Sequence, residues 1–169
     1  MSETAEPPWI QISPDELIAL EAELRQLIPL AAAMDVRTRG FDGRSLILVA
    51  PLEPNVNPKG TAFAGSLYSL AALAGWGMVR LLTRSMRLRC DIVIQESTIS
   101  YLNPVETSFE AVCPLPEANE WARFAATLLR RGKARITLDV SINQDGRTGV
   151  KFHGAYVASQ LAADPNIVA

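Results

Sequence analysis

The chain has one histidine, His153, and two cysteines, Cys90 and Cys113, in 169 residues. A single histidine excludes every zinc site built on two, the HExxH motif included. Two distant cysteines supply neither a disulfide framework nor a zinc knuckle. A charge excess is missing as well. Sixteen Lys and Arg stand against eighteen Asp and Glu, for a net charge of -2, and the pI is near 5.5. That balance argues against a protein that grips nucleic acid by its phosphates. The opening MSETAEPPW is acidic and carries no basic, apolar leader, so the expectation is a soluble cytoplasmic protein.

What is present suits one globular domain. Apolar residues make up 49% of the chain and charged residues 20%, enough to bury a core at this length. The longest uncharged run, 62–79, approaches the ~20 residues that cross a bilayer. Ser66, Tyr68, Ser69, Gly75 and Gly77 interrupt it, and the segments after it alternate polar and apolar. The run therefore reads as a helix buried in a soluble core, with no membrane partner.

Residues 1–12 read as a lead-in, 13–160 as a single domain and 161–169 as a tail. Ser13-Pro14-Asp15-Glu16 predicts a helix start, with Ser13 as N-cap and Glu16 closing a capping box. Leu17, Leu20, Leu24, Leu27 and Ile28 form its apolar stripe, and Pro29 ends it. Strands over 36–41 and 45–51 flank a two-residue Asp42-Gly43 turn. A polar loop, 54–60, leads into the uncharged helix, which ends among Arg80, Arg84, Arg87 and Arg89, matching the negative end of its dipole. Strands over 92–102 and 107–113 follow, joined through Asn103-Pro104. A short amphipathic helix runs from Trp121 to a stop at Gly132. Residues 135–142 alternate as a half-buried strand, and Asp145-Gly146 turns into a last strand with Val150, Phe152 and Tyr156 on one face. This order predicts an α+β fold: an antiparallel sheet of about six strands wrapped around one long helix whose small residues admit the sheet closely.

The segment 54–67, PNVNPKGTAFAGSL, couples a polar loop to a helix N-terminus. Unpaired N–H groups there can hold an anion or a developing oxyanion, and Gly65 permits close approach. The same residues also suit a purely structural entry, with Thr61 as N-cap and Asn55 and Asn57 bonding the loop to itself. Both readings stand at this point.

The element order, together with NxNxxGTxFAGSLxSLAxLAGWG at 55–77, resembles the hot-dog fold of acyl-CoA thioesterases. It is similar to the family typified by the C-terminal domain of YiiD, over about residues 15–157. Tyr101-Leu102-Asn103-Pro104 and Gly132-Lys133-Ala134-Arg135 fit the same template. The resemblance implies an acyl-CoA or acyl-carrier-protein thioesterase. It implies a homodimer or a tetramer with sites at subunit interfaces, and no cofactor beyond the coenzyme A portion of the substrate. The thioester carbonyl would sit at Phe63, Ala64 and Gly65, with Asn57 or Asn55 positioning it or the attacking water. Thr61 and Ser66 would help bind substrate.

One departure matters. Many such enzymes carry an Asp or Glu on the central helix, whereas here positions 71–75 hold none. Glu96, on the next strand, is the nearest candidate base, and it reads equally as a solvated strand residue. Ser66 and Ser69 lack a nearby histidine and read as packing groups, and His153 reads as a surface residue. Arg130, Arg131 and Lys133 suit the phosphates of coenzyme A, or complement the end of their own helix. No metal ligands are expected. The alternatives are a non-catalytic acyl-CoA-binding or regulatory domain of the same fold and, less favoured for want of a site histidine, a hydratase or dehydratase.

Overall fold

A computed structural model describes residues 10–162. Most of the tail, 163–169, and most of the lead-in, 1–9, lie outside the described residues. Helix α1, Pro14–Leu27, opens with the expected capping box: Ser13 Oγ accepts the Glu16 N–H at 3.3 Å, and the Glu16 carboxylate accepts the Ser13 N–H at 2.8 Å. Leu20 and Leu24 bury its apolar stripe, while Leu27 stays exposed. Pro29 ends α1 as expected but also begins a second short helix, α2, Pro29–Ala33. Proline fits a first helical position because no N–H is needed there.

Strands β1, Arg37–Phe41, and β2, Ser45–Ala50, are joined by three residues, where two were expected. The Asp42 carboxylate accepts the N–H groups of Arg44 and Ser45, at 2.9 and 2.7 Å, and Gly43 takes φ +91°. This side-chain turn replaces the tighter backbone one. The long helix α3 spans Ala64–Ser85. Then come β3, Cys90–Tyr101, β4, Phe109–Pro114, α4, Ala118–Arg131, β5, Lys133–Gln144, and β6, Arg147–Gln160. Asp145 and Gly146, both at positive φ, make the expected two-residue turn between β5 and β6.

The six strands form one antiparallel sheet in the order β1-β2-β4-β5-β6-β3. Helix α3 packs on one face of it, as the hot-dog arrangement requires. Gly75 is why Tyr156 of β6 fits against that helix: a Cβ there would overlap the Tyr156 hydroxyl. Strands β4 and β5 pair over only three positions, 110–112 with 141–143. Helix α4 lies beside β5, burying Phe124 and Leu128, and Gly132 at φ +68° ends it. Among the described residues no helix is long and apolar enough to cross a membrane.

Among the described residues strand β3 sits at a sheet edge, paired only with β6 and bulged between Ile94 and Glu96. It runs antiparallel to α3 and is tied to it along its length. Arg80 donates to the Cys90 carbonyl at 2.7 Å, Trp76 to the Ile92 carbonyl at 3.0 Å, and Tyr68 and Ser97 share a 2.8 Å hydroxyl bond. The Tyr101 hydroxyl reaches the Ala64 carbonyl at 3.1 Å. These bonds set the first turn of α3 against the far end of an open edge.

Candidate active site

The loop before α3 is built by Asn57. Its Nδ2 donates to Thr61 Oγ1 at 2.8 Å and to the Ala62 carbonyl at 3.3 Å. Its Oδ1 accepts the N–H groups of Lys59, at 2.8 Å, and Thr61, at 3.3 Å. All of its amide groups are therefore engaged within the loop. The Ala62 N–H donates to the Val105 carbonyl and the Phe63 N–H to the Asn55 carbonyl, each at 2.7 Å. The loop is thus pinned on both sides just before the helix begins.

Phe63, and not the expected Thr61, is the N-cap of α3 and offers no side-chain cap; the Thr61 hydroxyl is taken by Asn57 within the loop. The first helical bond, from Leu67 to the Phe63 carbonyl, leaves the N–H groups of Ala64, Gly65 and Ser66 without partners among the described residues. Such a turn presents partial positive charge to whatever approaches it. It opens on a cleft of about 390 Å³ whose walls include Asn57, Thr61, Ala64, Leu67, Tyr101 and Leu102. The Phe63 ring is half-exposed and lies against Gly65, where a Cβ would overlap it. Glycine at 65 therefore keeps the ring close and the backbone bare. Tyr101 is held above its usual phenol range by burial and by nearby Tyr68, so it remains a neutral donor.

The sequence-expected residues divide accordingly. Asn57, Thr61, Phe63, Ala64 and Gly65 gather at the cleft or its helix entry. Ser66 sits buried in the same first turn. Asn55 is buried and donates to the Met34 and Pro51 carbonyls at 2.9 and 2.8 Å, so its side chain anchors the loop to the end of α2. Glu96 does not join them within one protomer. Ser97 points to α3, and Glu96 points to the opposite sheet face, where its carboxylate meets Arg135 at 3.0 Å. Five residues of strand separate it from Tyr101, about 16 Å. Among the described residues no carboxylate lines the cleft.

The basic turn lies elsewhere again. Arg131, Lys133 and Arg135 rim a groove of about 570 Å³ whose floor includes Val93, Ile94 and Val157, and Arg130 is not among its walls. Val93 is eight residues from Tyr101 along β3, roughly 26 Å away. His153 is a surface residue as expected, its Nδ1 2.7 Å from the Asp139 carboxylate. Among the described residues no three His, Cys, Asp or Glu side chains gather as a metal site. Two participants carried no expectation from sequence: Tyr101 against Ala64, and the Tyr68–Ser97 pair. The Tyr-Leu-Asn-Pro motif marked the position of Tyr101 but not its contact, which spans 37 residues.

The decisive comparison is with protein families. The family described as "Putative thioesterase (yiiD_Cterm)" matches residues 17–160. The chain belongs to this family. Among solved structures, a protein of unknown function from Chlorobaculum tepidum is similar at 37% identity and TM-score 0.82, over 85% of this chain and 94% of that one. A structure named a putative thioesterase, from Shewanella oneidensis, is similar at 34% identity and TM-score 0.80, over 87% and 99%. A Haemophilus influenzae thioesterase shares the fold at 12% identity and TM-score 0.68, over 93% and 97%. The hot-dog fold and a thioesterase-like function follow for this member of the YiiD C-terminal family.

Proposed function

We propose that the protein hydrolyses acyl-coenzyme A thioesters as a homodimer, with the thioester carbonyl held at the first turn of α3. The observation that carries this reading is the first turn of α3, where the N–H groups of Ala64, Gly65 and Ser66 have no partner among the described residues and Ala64 lines the Asn57–Tyr101 cleft. Oriented amides of this kind stabilise the negative charge that develops on a carbonyl oxygen under attack. Asn57 acts by holding the loop and the first turn in place, since its own amide is fully used.

The dimer is supported by β3, a twelve-residue edge strand with Val93, Tyr101 and the following Leu102 exposed. An open edge of that length invites pairing with a second copy. Antiparallel pairing about its middle would set the Tyr101 end of one copy beside the Cys90 end of the other. The Val93 groove of one copy would then stand about 10 Å, three residues, from the cleft of the other instead of roughly 26 Å from its own. The rim of Arg131 and Lys133, on the sheet face opposite α3, could so hold the phosphates of a coenzyme A that passes round the end of the paired β3 strands to place its thioester in the facing cleft. Glu96, near mid-strand, would stay distant from both clefts.

Release of free thiol from a panel of acyl-coenzyme A thioesters tests the reading. A folded protein that turns over none of them rejects it. A second reading, an acyl-coenzyme A-binding domain without turnover, is favoured by the lack of a carboxylate among the described residues of the cleft wall. It predicts saturable binding of the same panel and no thiol.

A further inference from the structure

The Ala64 carbonyl and the Gly65 N–H belong to one peptide group. That group is planar and trans, so its oxygen and hydrogen point in opposite directions. The Tyr101 hydroxyl, from the end of β3, donates to the oxygen at 3.1 Å. The hydrogen at the other side is one of the three donors at the start of α3 that have no partner among the described residues, beside the cleft that Ala64 lines.

We propose that Tyr101 is a positioning residue for this site, orienting and polarising the Ala64–Gly65 peptide so that the Gly65 N–H meets the substrate oxygen as a stronger, better-aimed donor. The inference rests on the reading of the α3 first turn as the place that holds the thioester carbonyl. A hydrogen bond received by a peptide oxygen strengthens the bond its N–H can donate, because chains of hydrogen bonds polarise one another. It also stops the first peptide of the helix, which lacks the constraint of a donor bond of its own, from tilting. The next peptide is treated alike from within the helix: Ser69 Oγ donates to the Gly65 carbonyl at 2.8 Å, on the group that ends in the Ser66 N–H.

Two features separate this role from simple packing. The Tyr101 ring is half-exposed, so burial alone gives little reason for an aromatic residue there. The bond also links the first turn to the sheet edge that a second copy would cover. A dimer contact at β3 would thereby bear directly on the donor geometry of the cleft.

The test is Tyr101→Phe in the full chain, which keeps the ring and removes the hydroxyl, with 3-fluorotyrosine at the same position as a more acidic donor. In ¹⁵N-labelled protein the Gly65 amide proton should move upfield in Tyr101→Phe and downfield in the fluorinated protein, with the melting temperature held. On a turned-over acyl-coenzyme A, Tyr101→Phe should lower kcat about three- to thirty-fold with KM nearly constant, less than the loss of a direct oxyanion donor, and fluorination should raise it. An unmoved Gly65 amide overturns the proposal. So does a kcat that ignores both changes, or one that falls only in step with stability. If the parent hydrolyses nothing, the site reading fails, and the Gly65 shift still judges the coupling by itself.

Discussion

The Tyr156 hydroxyl donates to the Ala72 carbonyl at 3.0 Å in the notch that Gly75 leaves on α3. Burial holds this phenol protonated well beyond its ordinary range, so it serves as a fixed donor between β6 and the central helix. Gly75→Ala should destabilise the fold by about 1–3 kcal/mol, the usual cost of overfilling a packed core. Tyr156→Phe should cost about 1 kcal/mol, the net worth of one hydrogen bond. Chemical denaturation of both variants checks the ranking.

Asn57→Ala removes four hydrogen bonds from the loop that shapes the cleft. Turnover should fall about ten- to a thousand-fold, on the scale of misplacing oriented donors. Asn57→Asp should not restore it, because a carboxylate would face the Ala62 carbonyl to which Nδ2 donates. A folded Asn57→Ala protein with the parent kcat would remove this loop from the reaction centre.

With no carboxylate among the described residues of the cleft wall, the thioester carbonyl must be attacked by hydroxide, or by water activated by groups other than a side-chain carboxylate. The rate should then climb with pH, by up to about tenfold per unit through neutrality, with no plateau set by a carboxylate base. Glu96→Gln should keep the parent turnover, since Glu96 is committed to Arg135 on the other sheet face. A pH profile levelling above an acidic pKa, lost in Glu96→Gln, would make Glu96 the base.

Arg131→Ala with Lys133→Ala should raise KM for acyl-coenzyme A roughly tenfold and flatten its salt dependence, because phosphate contacts are screened within about 10 Å. Arg130→Ala, outside the groove wall, should do much less. Short pantetheine thioesters without the nucleotide phosphates should not notice either change. Equal KM values for parent and double variant would disconnect the groove from substrate.

Two carboxylates link the fold to acid. Asp35 is held below its ordinary 3.8 chiefly by a hydrogen bond from Arg25, with Arg37 adding to it. Burial would raise Glu21 above its ordinary 4.5, but hydrogen bonds from Thr38 and Arg37 outweigh it and the net shift is downward. Groups with depressed values stabilise the fold above their unfolded values, and that contribution is lost as pH falls through the folded ones. Stability should therefore hold above about pH 4.5 and decline below it. Glu21→Gln with Asp35→Asn should flatten the decline when unfolding is followed from about pH 5 to pH 2.

Much of the scaffold was legible in the residues because its signals act between near neighbours. Ser13 and Glu16 sit three apart and close on each other wherever that helix forms. Asp145-Gly146 favours positive φ whatever lies around it. The Gly and Ala spacing of α3 announces close packing without naming the partner.

The sequence by itself determined the order of the strands and longer helices, the cap of α1, the stop of α4 and the loop that opens α3, since each rests on backbone preferences and contacts a few residues long. Only the tertiary structure decided which loop amide faces the cleft and which is buried under α2, where Asn55 reaches back 21 residues to Met34. It also decided that Glu96 turns away from α3 while Ser97 turns toward it, and that Tyr101 meets Ala64. Strand side chains alternate faces, and a bulge such as the one between Ile94 and Glu96 changes their register, so the side on which a residue lands depends on pairing with a strand some sixty residues away.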